Sequence, residues 1–316
     1  PEELAYTDLD AYDDVVVGPN AYLIDDVRRN AARLLEYVER GGTLIVQYQG
    51  YGYQGNHLAP YPFRYRQPHD RITFSDAPVT MLDPGHPILS APNRIGPEDF
   101  EGWVHDRGLY FFGEWDRRYE PLLESADPGQ DPQRGGLLVA GYGRGTYVYA
   151  AYSFFRQVPE GVPGAVRLFA NLLGLADARI TERMERARRI PLLSLLDASQ
   201  LYEVARLMSE RWLDPGGILC REGDRGSELY LILEGDIEVI KGHDRVVHVA
   251  QKGEVVGELA VLTDLPRSAT LRAASDVKIL EMRGSHFRGY LRQHKDLAER
   301  VTAMLAQRLA SSEIMW

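Results

Sequence analysis

Gly257-Glu258-Leu259-Ala260-Val261-Leu262-Thr263-Asp264-Leu265-Pro266-Arg267-Ser268-Ala269-Thr270 is the stretch that decides how this chain reads. A glycine and a carboxylate precede a short apolar run; a proline, an arginine and small residues follow it. A helical turn opening at Glu258-Leu259-Ala260 presents free backbone N–H groups to an anion. Arg267 supplies a charge and paired donors, and Ser268 adds a hydroxyl and an amide. A carboxylate such as Glu258 beside an anion makes sense as the acceptor of a ligand hydroxyl.

Around this window lie short apolar strands separated by single glycines, among them Gly223, Gly226, Gly235 and Gly253. The run Glu228–Ile240 reads as two strands turning at Gly235. Short strands about ten residues apart predict a small antiparallel barrel or jelly roll. Helices are predicted over 192–211, with Asp197 as N-cap, and over 287–291 and 297–309. Cys220 falls in a predicted strand, Ile218–Arg221, and reads as core packing.

These residues resemble the phosphate-binding cassette of the cyclic nucleotide-binding domain family, over about residues 190–311, with the glycines at 223, 235, 253 and 257. The resemblance implies a β jelly-roll barrel with flanking helices. It implies that Glu258 binds the ribose 2′-hydroxyl and Arg267 the cyclic phosphate. Gly257, Leu259, Ala260, Ser268 and Ala269 complete the site with amide or local polar contacts. The ligand it implies is cAMP; cGMP stays open, because small and hydroxyl residues after the arginine accompany both.

The first half alternates strand and helix. Asp14–Val17 reads as a buried strand, 25–40 as an amphipathic helix ended by Gly41-Gly42, and 43–46 as a second strand. Strand, helix, strand without a hairpin turn implies a right-handed crossover and parallel pairing. Leu137–Gly141 and Thr146–Ala150 predict a hairpin, and Pro163–Leu175 a closing helix. The class is α/β with a flavodoxin-like sheet. A ligand in such a sheet sits beyond the C-terminal strand ends, which points to the loop carrying Tyr51 and Tyr53 and to His69 and Asp70. The tyrosines there either stack on a planar ligand or cover the sheet edge. None of the histidines shows a recurring metal-ligand spacing, so no metal is expected.

The segments 14–22, 42–48, 68–71 and 143–149 resemble the glutamine amidotransferase-like domain that follows some PIG-L (LmbE-type) deacetylases. Amidotransferases of that class need a cysteine nucleophile; this half has none, so no glutaminase activity is expected. No His-Pro-Asp-Asp segment is present, and the start at Pro1 suggests a piece of a longer polypeptide.

Of the 316 residues, 44% are hydrophobic and 26% charged, a globular balance. Residues 1–178 carry 25 acidic and 15 basic side chains, and the remainder 21 of each. Neither half offers the basic surplus of a duplex binder, so no nucleic acid partner is expected. No apolar run approaches the roughly 20 residues that cross a bilayer; a cytoplasmic setting is expected, with no membrane partner. The organisation expected is an α/β domain at 1–178, a helical linker at 179–190 and a ligand-binding domain at 191–316. Leu297, Val301, Met304, Leu305 and Leu309 form an apolar stripe, giving either a lid or a homodimer contact. The leading reading is a non-catalytic sensor whose ligand controls the α/β domain. Its rival is a regulatory fragment of a hydrolytic enzyme.

Overall fold

A computed structural model of the chain describes residues 2–50, 58–66, 68–190, 193–226, 228–242, 245–257, 266–299 and 302–303. The chain divides into two units, Pro1–Arg179 and Ile180–Trp316.

In the first unit, β1 (Asp14–Val17) pairs in parallel with β2 (Thr43–Gln47). The connecting segment is two helices, Asp25–Arg29 and Ala31–Arg40, rather than the single one predicted. Asn30 makes the break: it leaves helical geometry, and its side-chain amide donates to the Asp26 carbonyl at 2.8 Å. Such local bonds compete with the helix ladder. Every residue of β2 is buried, as a strand covered on both faces requires.

The stretch that reads as a long aromatic loop folds instead into small antiparallel ribbons. β3 (Phe63–Arg64) pairs with β7 (Glu114–Trp115), β4 (Asp70–Ile72) with β6 (Gly108–Phe111), and β5 (Val79–Met81) with β9 (Leu123–Ser125). β8 (Glu120–Pro121) joins the main sheet beside β10 (Leu137–Tyr142). The hairpin forms, with β10 antiparallel to β11 (Gly145–Ala150), and β11 lies parallel to β2. The order is β1-β2-β11-β10-β8. The flavodoxin-like sheet expected from the sequence is not confirmed: β10 runs against the parallel strands β1, β2 and β11, and β8, antiparallel to β10, runs with them. Pro163–Leu173 forms the closing helix, with Leu168 and Leu172 in the core.

The second unit holds β12 (Met208–Leu213), β13 (Ile218–Cys220), β14 (Glu228–Glu234), β15 (Ile237–Lys241), β16 (Arg245–Ala250), β17 (Val255–Val256), β18 (Thr270–Ala273) and β19 (Val277–Arg283). They make two four-stranded sheets, β12-β19-β14-β17 and β13-β18-β15-β16. The sheets are not closed into the barrel predicted. Among the described residues, no strand of one sheet pairs with a strand of the other, and β17 holds its neighbour at two residues only. Tyr230, Ile232, Ile237, Leu271 and Ile279 join both sheets in one core. The opposite face of β14, through Leu229, Leu231 and Leu233, packs with Leu201, Phe287 and Leu297.

The helix predicted over 192–211 is shorter. It spans Ala198–Arg206, capped by Asp197, whose carboxylate accepts from the Gln200 amide at 2.8 Å. Six residues of cross-strand pairing with β19 take 208–213 into β12 instead. A further helix spans Gly284–Gln293. Of the apolar stripe, Leu297 is buried; Val301, Met304, Leu305 and Leu309 lie outside the described residues. No described helix is long and apolar enough to cross a membrane.

Candidate functional site

Antiparallel pairing of β13 with β18 brings the residues after Cys220 alongside those before Thr270. Two main-chain bonds lock the approach: Gly223 N donates to Arg267 O, and Arg267 N to Asp224 O, each at 2.9 Å. Asp224 also turns its carboxylate back to accept from Arg221 N at 2.8 Å. These bonds fix the Arg267 side chain at its root.

Its guanidinium is buried. Nη1 donates to the Glu228 carbonyl and Nη2 to the Glu228 carboxylate, both at 2.9 Å. The guanidinium carbon lies 5.6 Å from the centre of the Tyr230 ring, within range of a cation–π attraction. Nε is buried and makes no hydrogen bond among the described residues, so one strong donor remains for an acceptor such as a phosphate oxygen.

Two glycines make room for this group. A Cβ at Gly226 would stand 3.2 Å from Nε and Nη2. One at Gly257, whose φ of +83° already disfavours a side chain, would lie 2.7 Å from Nη1 and from the Glu228 carbonyl. Burial pushes the Cys220 thiol and the Tyr230 hydroxyl up, and the Arg267 charge opposes both shifts.

Of the residues predicted for this site, Gly257, Arg267, Ser268 and Ala269 are placed. Gly257 and Arg267 are in close contact. Ser268 is exposed, and Ala269 is buried with its carbonyl accepting from Cys220 Sγ at 3.8 Å. Glu258, Leu259 and Ala260 lie outside the described residues. The sequence reading missed Glu228, Gly226 and Tyr230 as parts of the site. A visible signal was Gly226-Ser227-Glu228, a carboxylate at the head of a strand whose next five residues are apolar.

At the second predicted site, Tyr51 and Tyr53 lie outside the described residues. His69 and Asp70 act on each other electrostatically, and each also has a neighbour of its own. The His69 ring stacks on Tyr110 at 4.2 Å, and Tyr110 stacks on Tyr48 at 5.8 Å. Asp70 faces Arg66 at 3.6 Å. Burial lowers the His69 pKa and raises that of Asp70, with Arg66 opposing the latter. No group of three metal-ligating side chains occurs among the described residues.

Residues 210–294 match the cyclic nucleotide-binding domain family. The chain is 35% identical over 103 residues to a cAMP-dependent protein kinase regulatory subunit of Pyricularia oryzae, covering 32% of this chain and 26% of that one. It is 29% identical over 119 residues to a cyclic nucleotide-gated potassium channel of Rhizobium etli, covering 38% and 33%. The chain thus spans about a quarter to a third of these relatives' length. A solved N-terminal domain of a transcriptional regulator from Streptomyces coelicolor aligns at 30% identity and a TM-score of 0.37, covering 41% of this chain and 94% of that one. The second unit contains a cyclic nucleotide-binding domain.

Proposed function

We propose that this domain binds cAMP, with cGMP the competing ligand, and that the chain is a non-catalytic sensor in which the nucleotide controls the attached α/β unit. The observation that carries the reading is Arg267: a buried guanidinium inside the family-matched window, held by Glu228 and framed by two glycines, with Nε unpartnered. In this reading Arg267 binds the cyclic phosphate and Glu258 the ribose 2′-hydroxyl. Leu259, Ala260, Ser268 and Ala269 supply amide or local polar contacts. The first unit is read as amidotransferase-like without the nucleophile, since the chain's lone cysteine, Cys220, is in the second unit. The setting is cytoplasmic, and the apolar stripe of Leu297, Val301, Met304, Leu305 and Leu309 is the candidate homodimer contact.

Calorimetry on the whole chain tests this. One cAMP binds per chain, and Arg267→Ala weakens it by about 2–5 kcal/mol, because the phosphate loses its buried counter-charge. Absence of heat and of thermal shift with both cAMP and cGMP overturns the reading.

A further inference from the structure

The first unit contains a cleft of about 480 Å³, within the range of small-molecule sites. Pro78, Val79, Pro97, Phe100 and Trp103 give it apolar walls, and Arg107 lines it. Asp76 and Glu101, both exposed, stand at its rim.

Arg107 is 3% exposed. Its Nε and Nη2 donate to the Ala77 carbonyl at 3.0 and 2.8 Å, and Nη1 donates to the Phe100 carbonyl. Its guanidinium carbon lies 5.7 Å from the Phe100 ring centre and 5.5 Å from that of Trp103. Three of its five N–H groups are thus used, and one remains on each Nη. Neutral carbonyls and rings hold the cation, but no carboxylate among the described residues forms an ion pair with it. Acids close in sequence are engaged elsewhere. Asp99 faces Arg167 at 3.3 Å, and Asp106 faces Arg156 at 3.2 Å. Asp76 at the rim acts on the cation through space but makes no ion pair with it; a buried cation compensated only at that remove is costly unless something nearer supplies negative charge.

We propose that this cleft binds a small monocarboxylate with an apolar body, the carboxylate on Arg107 and the body against Phe100 and Trp103. The rim acids set the valence. A single negative charge reaches Arg107, whereas a second at the outer end meets Asp76 and Glu101 and is repelled.

The probe is 4-fluorobenzoate, followed by fluorine NMR on the whole chain, with 4-fluorobenzamide as its neutral counterpart. Saturable benzoate binding at least about tenfold tighter than the amide is expected. Arg107→Met abolishes the difference. Asp76→Asn with Glu101→Gln, two changes at exposed positions, tightens benzoate binding by about twofold to fivefold. No saturation up to about 10 mM, or equal binding of acid and amide, overturns the proposal. If the Arg107 variant does not fold, the rim pair decides alone: unchanged benzoate affinity there is equally fatal.

Discussion

Arg107 and Arg267 are buried to nearly the same depth, 3% and 5% exposed, yet the two units hold the charge in different ways. In the first unit the guanidinium bridges two carbonyls and two aromatic rings. In the second it meets a carboxylate that is itself 32% exposed and so keeps one side in water. The first arrangement knits two loops together. The second is an ion pair that an incoming anion can share, because Glu228 keeps the cation oriented without covering Nε.

Substitutions should separate the two roles. The largest effect is expected for Arg107→Met, which strips the Ala77 and Phe100 carbonyls of their donors. It should cost the first unit about 3–5 kcal/mol, read by native-state hydrogen exchange at β10 and β11. Glu228→Ala should cost the second unit less, about 1–3 kcal/mol, since the carboxylate is partly solvated. Saturating cAMP should shrink that loss by returning an anion to Arg267. A loss unchanged by the nucleotide would show that Glu228 does not share its partner with the phosphate.

A smaller effect is expected at Asp14. Burial first, and then the neighbouring Asp13, raise its pKa from 3.8 to about 6, against an opposing hydrogen bond from Thr43. The folded chain therefore holds this proton more tightly than the unfolded chain. Between those two values stability from this group falls as pH rises. Asp14→Asn should remove that slope, matching the wild type at the acid end of the window and exceeding it above about pH 6. Unfolding followed against pH in both proteins checks the sign. The smallest signal concerns transmission. Cyclic nucleotide should raise hydrogen-exchange protection at β18 and also at residues 294–299. Protection confined to the cassette would make the domain a passive binder.

Much of the second unit was legible because single glycines interrupt its apolar runs, and the turn at Gly235 delivers β14 and β15 as read. The missing closure was not, since it depends on which distant edges pair. The same limit applies to the site. Gly257 and Arg267 share one short window, whereas Glu228 reaches Arg267 across 39 residues of chain. In the first unit, β1, β2 and the β10–β11 hairpin announced themselves by apolar runs. The ribbon strands β3–β7 and β9 did not, because strands of two to four residues carry too little periodicity to read.

β14 serves the core between the two sheets and the helix side of its unit with alternate residues: Tyr230 and Ile232 one way, Leu229, Leu231 and Leu233 the other. At about 3.3 Å per residue, its seven residues form a stiff rod about 23 Å long. Glu228 is fixed to one end of that rod and bound to Arg267. Close packing on both flanks holds residues 228–232 in register, since a slip by one residue would exchange the two faces; the irregularity in the pairing with β19 lies between Ile232 and Glu234, away from Glu228. Arg267 is thereby joined, through Glu228 and one continuous strand, to the cluster that holds Leu201, Phe287 and Leu297.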